Sequence, residues 1–303
     1  MAQSVEKTVA AAARAVVLAP DVAGRVRKSR FRQEWRNPIG LVGAAIVLLT
    51  VLLAVLAPVI SPYVPSAQGY GRLMAPSAAH WMGTDELGRD QLSRIIYGAR
   101  VSLQVGAVSV VLALAAGLLA GVLAGFYRGW LDDWLMRVVD IVFAFPGLVL
   151  AIVIAGLLGP SRTNAMIAIG IVYAPAFARV IRGSVLSVMA ESYIEASRVV
   201  GASDPRIMIR HLLPNIMAPI IVMTTVYLSS AILSEASLSF LGLGTQPPEP
   251  SWGGMLNAAR RFMELAPWLA IFPGGAIMLV VLGFNFLGDG LRDILDPRLR
   301  TPS

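Results

Sequence analysis

The sequence predicts an all-α polytopic membrane protein with six transmembrane helices and both termini in the cytoplasm. Three observations carry this. Hydrophobic residues make up 56% of the 303-residue chain, charged residues only 14%, and the mean hydropathy is +0.71; a soluble surface needs more charge than that. Six long stretches contain no charge at all. With the N-terminus inside, 18 of the 25 Lys and Arg residues fall on the cytoplasmic side of those stretches, the bias that orients membrane proteins.

Residues 1–38 read as a cytoplasmic tail, Ala-rich to residue 24. Arg25, Arg27, Lys28, Arg30, Arg32 and Arg36 then alternate with Val26, Phe31 and Trp35. Such a segment either lies as a short helix on the anionic inner leaflet or stays solvated and only sets orientation. No cleavable signal peptide is expected, because the first apolar run begins only near Ile39.

The charge-free stretches are residues 39–66, 101–127, 141–161, 163–178, 212–234 and 265–288. Crossing a hydrocarbon core of about 30 Å takes roughly 20 helical residues, which five of them supply easily. The fourth is short and contains Pro175. Charge argues for it: without a fourth span, the polar island at residues 191–215 would face outside. The domain plan is therefore a six-helix transmembrane domain over 39–288, with exterior loops at 61–100 and 235–266, a cytoplasmic loop at 183–215 and a cytoplasmic tail at 289–303.

The first exterior loop carries Asp85, Arg89, Asp90 and Arg94 within GTDELGRDQLSR, a pattern for a turn leading into a helix with internal ion pairs. The second, from Leu238 to Gly253, holds Gly242, Gly244, Pro247, Pro248 and Pro250 and cannot be regular helix throughout.

The island ESYIEASRVVGASDPRIMIRHLLPN reads as two short helices broken at Gly201. Tyr193, Ala196 and Val200 recur at helical spacing, and Glu191, Glu195 and Arg198 share a charged face. Gly201 can take the left-handed conformation that ends a helix. Asp204 then Pro205 read as an N-cap and a first-turn proline.

Glu195-Ala196-Ser197, Gly201 and His211-Leu212-Leu213-Pro214 at this spacing resemble the EAA loop of permease subunits of bacterial ABC importers. Ser197 and His211 depart mildly from that pattern, which prefers alanine and isoleucine there. GTDELGRDQLSRIIYGARVSL, the loop LSFLGLGTQPP with Ser251-Trp252-Gly253, and the C-terminal GDGLRD with Asp296-Pro297-Arg298 are similar to the C-type permease subunit of dipeptide and oligopeptide importers. This resemblance covers roughly residues 35–300.

It implies a type I ABC importer permease fold in the bacterial inner membrane. It also implies a B-type permease as heterodimer partner, one or two cytoplasmic ABC ATPase subunits, and an extracytoplasmic solute-binding protein. The ATPase-coupling residues it points to are Tyr193, Ile194, Glu195, Ala196, Ser197, Arg198, Val200, Gly201, Ala202 and Asp204. Tyr193, Ile194, Ala196 and Val200 are expected to pack into a groove on the ATPase, with Glu195 pairing a basic residue there.

ATP and Mg would be bound by those partners. A Walker A loop needs a lysine after glycine, and the chain's two lysines, Lys7 and Lys28, follow Glu6 and Arg27. No cofactor, no metal site, no nucleic-acid partner and no enzyme activity are expected of this chain itself. His80 and His211 fall on opposite sides of the predicted membrane and cannot share a metal. Met223, Thr224, Tyr227 and Ser230, with Thr225 and Ser229, are candidates for a translocation path, although Ser and Thr are also common helix-packing residues. The alternative from another class is an ion-coupled secondary transporter using Asp140 or Glu235, since ionisable groups inside spans are usually functional.

Overall fold

The computed structural model describes residues 38–295. The basic segment up to Arg36 and the Asp296-Pro297-Arg298 motif lie outside the described residues. Described elements are α1 (Pro38–Val55), α2 (Ala57–Ile60), α3 (Gln91–Tyr127), α4 (Gly129–Phe143), α5 (Gly147–Leu158), α6 (Arg162–Met189), α7 (Ser192–Val199), α8 (Asp204–Ile207), α9 (Leu213–Phe240), α10 (Trp252–Ala259) and α11 (Trp268–Leu295). A π-helical turn, Met208–Leu212, joins α8 to α9. Below, the bundle end bearing residues 190–212 is called proximal and the opposite end distal.

Among the described residues, five helices are long and apolar enough to cross a membrane: α1, α3, α6, α9 with the short segment before it, and α11. The third expected span is not a straight helix. Over those residues the chain forms the pair α4 and α5, bent by 90° at residues 144–146, which is long and apolar enough to cross only if the two helices count as one span. Pro146 supplies the reason, since it lacks an N–H and pushes the residue before it out of helical geometry. The fourth span, expected to be short, is a 28-residue helix that runs through Pro175 to Met189. Proline is tolerated inside membrane helices because neighbouring groups satisfy the freed carbonyl. Helix α6 continues past residue 183, where a loop is expected to begin, and α9 continues past residue 235 to Phe240.

The principal helix interface is α3 on α6. Gly117, Gly121 and Gly125, four residues apart, form its seam on α3. A Cβ on Gly121 would lie 2.6 Å from the Ala178 carbonyl oxygen, and one on Gly125 2.7 Å from Val185 Cγ1. Small residues at this spacing let helix backbones approach closely in lipid, where dispersion rather than water exclusion drives association. Phe177, Ile181 and Val185 of α6 are fully buried against that seam. A second close approach joins α1 to α11, where Gly40 meets Gly290.

The distal end is capped by a polar knot. Asp90 caps α3 by accepting from Ser93 N at 2.8 Å and Ser93 Oγ at 2.7 Å, and its other oxygen lies 2.9 Å from His80 Nδ1. Asp85 accepts from Arg89 Nε at 2.6 Å and lies 3.4 Å from Arg94 Nε. The expected turn with internal ion pairs is thus present, and His80 is satisfied within it, in a cluster of tilted rings with Tyr63 and Tyr70. Helix α10 folds back onto this cap, with buried Trp252 donating from Nε1 to the Ile95 carbonyl at 3.0 Å.

Candidate functional site: the proximal hairpin and the adjoining groove

Helix α7 ends in a Schellman motif. Gly201 N donates to the Arg198 carbonyl at 2.9 Å and Ala202 N to the Ser197 carbonyl at 3.0 Å, with Gly201 at φ +86°. This is the left-handed stop the sequence indicates. The start of α8 differs by one residue from expectation. Ser203 occupies the extended N-cap position and Asp204 is the first helical residue, so Asp204 acts through its charge near the helix start rather than as the cap.

The hairpin is fastened by its apolar inner face. Ile194, Ile207 and Leu212 are all at most 1% exposed and join the main core. Ile194, expected to pack into an outside groove, is instead an anchor. The reason is register: it is the one α7 position whose side chain falls on the body-facing stripe. Asn215 Nδ2 donates to Tyr193 OH at 3.2 Å, and the Arg198 guanidinium lies 5.5 Å from the Phe126 ring centroid at the end of α3. Both contacts tie the hairpin to the membrane helices.

The outer face is a different surface. Glu195, Ala196 and Arg198 are exposed, Ser197 and Ala202 half-buried. Tyr193 is 41% exposed, Val200 88% and Val199 84%. Val199 and the exposed Ile209 were not singled out from sequence, although Val199 follows Glu195 by one helical turn. A projecting apolar patch beside an exposed carboxylate, on a backbone locked from behind, is the make-up of a surface that receives another protein.

Of the candidate path residues, Met223 and Tyr227 line a cavity of about 650 Å³ between α6, α9 and α11, together with Val180, Val226 and Arg292. Thr224 and Ser230 are outside that lining. Their hydroxyls donate back to their own helix, to the carbonyls of Ile220 at 2.7 Å and Val226 at 3.3 Å. Thr225 is buried, and Ser229 bridges to Asn285 Oδ1 of α11 at 2.8 Å. The Tyr227 ring packs edge-on against Tyr173, centroids 5.0 Å apart.

The two carboxylates of the ion-coupled alternative are placed far from one another in character. Glu235 is completely buried and accepts from Ser102 Oγ at 2.9 Å and Ser239 Oγ at 2.7 Å. Thr245 N donates to Ser239 Oγ at 3.1 Å, so Glu235 ties α3 and α9 to the distal loop. Asp140 accepts from Arg179 NH2 at 2.7 Å. Among the described residues, no group of three or more His, Asp or Glu side chains is placed to hold a metal ion.

A bundle of long apolar helices, capped at one end by a polar knot and at the other by an exposed hairpin anchored to the core, is the architecture of a membrane permease. The chain belongs to the family described as binding-protein-dependent transport system inner membrane component, which it matches over residues 117–301. Residues 29–76 match the N-terminal TM domain of oligopeptide transport permease C. It is an ABC transporter permease, spanning the bacterial inner membrane several times.

The chain is 48% identical to the dipeptide transport system permease protein DppC of Alkalihalophilus pseudofirmus over 275 residues, 90% of each chain. It is 47% identical to the glutathione transport system permease protein GsiD of Escherichia coli, over 89% of each. Among solved structures, a chain of the MetNI methionine ABC transporter in an inward-facing conformation matches with a TM-score of 0.57 at 21% identity, covering 67% of this chain and 97% of that one. That likeness is one of fold.

Proposed function

We propose that this chain forms half of the translocation path of an ATP-driven peptide importer and receives work from a separate ATPase through the hairpin of α7 and α8. The observation that carries the reading is the division of α7 into a buried face, Ile194, and an exposed face around Glu195 and Val200. A helix fixed from behind transmits displacement, whereas a loose loop would absorb it. The outer face then sits in an ATPase groove as a helix-in-groove contact, with Tyr193, Ala196 and Val200 as apolar contacts and Glu195 meeting a basic residue.

In this reading the proximal end and both termini are cytoplasmic, and ATP and Mg belong to the ATPase subunits. A B-type permease completes the path, and a solute-binding protein delivers solute at the distal cap. Peptides are the substrate class favoured by the kinship with the dipeptide and glutathione permeases, glutathione being itself a tripeptide. Ion coupling is disfavoured because Glu235 has a complete set of structural partners and Asp140 is ion-paired.

The test is co-expression with the neighbouring transport genes, purification in detergent, and uptake into proteoliposomes. Co-purification of an ATPase that Glu195→Ala weakens, together with ATP-dependent peptide uptake, is the expected result. Uptake by the lone chain driven by an ion gradient without ATP would refute it.

A further inference from the structure

The pair Asp140–Arg179 is an ion pair at membrane depth that is open to its surroundings. Its side chains are 66% and 54% exposed respectively. Depth follows from helix length alone. Backbone in hydrocarbon must be hydrogen-bonded internally, so the membrane core has to fall within α6. That helix runs from Arg162 to Met189, and any placement of a roughly 20-residue core window on it contains residues 170–181. Arg179 falls inside every such window.

Its guanidinium does not reach back toward the proximal surface. It bonds Asp140 on α4 at 2.7 Å and covers the Phe143 ring at 4.3 Å. Gly147, four residues beyond Phe143, sits against Val172, two turns distal to Arg179 on α6. The arm is thus drawn toward the middle of the membrane. Charged groups held at that depth face an aqueous cavity or the interior of an assembly rather than lipid.

The neighbouring surface mixes small, polar and apolar side chains. Proximal to Arg179, the exposed positions of α6 are Val180, Gly183 and Ser187, so Val180 is the one large apolar side chain exposed on that stretch. On the adjacent flank, Val180 borders the 650 Å³ cavity that also contains Tyr227 and Arg292.

We infer that the Asp140–Arg179 pair lines the aqueous solute passage and serves as a charge-matched station for a zwitterionic or charged peptide. Arg179 faces the solute's carboxylates and Asp140 its ammonium groups. A peptide carries both a carboxylate and an ammonium group, so it can meet both partners at once and leave neither charge unmatched. This inference rests on the peptide-importer reading for its solute and on geometry for its location.

The chain contains no cysteine, which makes single-cysteine mapping direct. In the assembled transporter in proteoliposomes, Val180→Cys and Gly183→Cys are expected to react with a charged, membrane-impermeant methanethiosulfonate at least tenfold faster than Leu157→Cys, an 83% exposed position on α5. Rates equal to that of Leu157→Cys would mean that lipid or the second permease covers this face, and would overturn the inference.

The charge roles are read from uptake of three probes: glycyl-glutamate, glycyl-lysine and glycyl-leucine. Arg179→Gln is expected to lower kcat/KM for glycyl-glutamate at least fivefold more than for glycyl-lysine, and Asp140→Asn to do the reverse. Equal losses on both would reduce the pair to a structural bridge. Failure of the unmodified complex to take up any of the three, with cysteine labelling as expected, would refute the peptide reading and leave the passage in place.

Discussion

Asp132 and Arg182 form a two-bond bridge between α4 and α6, with Nε to Oδ1 at 2.5 Å and NH2 to Oδ2 at 2.6 Å. The carboxylate side chain is 12% exposed and the guanidinium 33%. Forked geometry of this kind is among the stronger charge-assisted contacts. It fixes α4 against α6, next to the Gly121 and Gly125 seam.

Removing Asp132 leaves the one-third exposed Arg182 without its mate and α4 without its tie to α6. Asp132→Ala is expected to destabilise the detergent-solubilised chain by about 1–3 kcal/mol. The check is the thermal midpoint. The exchange Asp132→Arg with Arg182→Asp should recover part of the loss, and no recovery would mean that packing of α4, not the bridge, is what was disturbed.

Gly121→Leu should separate α3 from α6, because the new side chain would meet the Ala178 carbonyl and Ile181. Overpacking of this type costs about 1–3 kcal/mol, and here it involves backbone that cannot move aside. Loss of a monodisperse peak in size-exclusion chromatography is the expected outcome. Gly156→Ala on α5, which has nothing within 4 Å of the added carbon, should behave like the parent chain.

Ile194→Ala and Val200→Asp separate anchoring from docking. The first empties a fully buried site and should cost about 2–5 kcal/mol of stability. The second changes a side chain that is 88% exposed and should leave the thermal midpoint unmoved while weakening ATPase association at least tenfold, about 1.4 kcal/mol. If Val200→Asp binds the ATPase normally, the docking face lies elsewhere on the hairpin.

Gly201→Val should strain the Schellman stop by about 1–2 kcal/mol for a left-handed non-glycine residue, and more for a β-branched one. Membrane insertion should be normal and ATPase co-purification reduced. Gly201→Asn should be milder, since asparagine is the usual second choice at such a stop. Full transport by Gly201→Val would remove the hairpin from the coupling route.

Glu235→Gln is expected to keep ATP-driven uptake, because an amide oxygen can still accept from Ser102 or Ser239. Glu235→Leu leaves both hydroxyls without their acceptor and should cost about 1–3 kcal/mol. Uptake measured with and without a protonophore tests the same point from outside. Dependence on the gradient that vanishes in Glu235→Gln would revive ion coupling.

Much of this protein was legible from sequence because its determinants are local. The apolar stretches, the stop at Gly201 and the capped ion-pair turn from Asp85 to Arg94 each depend on residues within one or two helical turns of one another. The same locality exposed the hairpin as a polar island between spans.

What the tertiary structure decided depends on residues distant along the chain. Pro146 breaks the helix, but the 90° angle between α4 and α5 appears only in the packed bundle. Ile194 looked equivalent to Ala196 and Val200 until the core took it inward. Glu235 and Asp140 looked alike as intramembrane acids, yet one is sealed among hydroxyls from α3 and α9 and the other meets Arg179 in the open. Sequence fixes how much a segment must bury and where it can turn. Which face it buries, and which partner each charge finds, is set by neighbours brought together only when the helices pack.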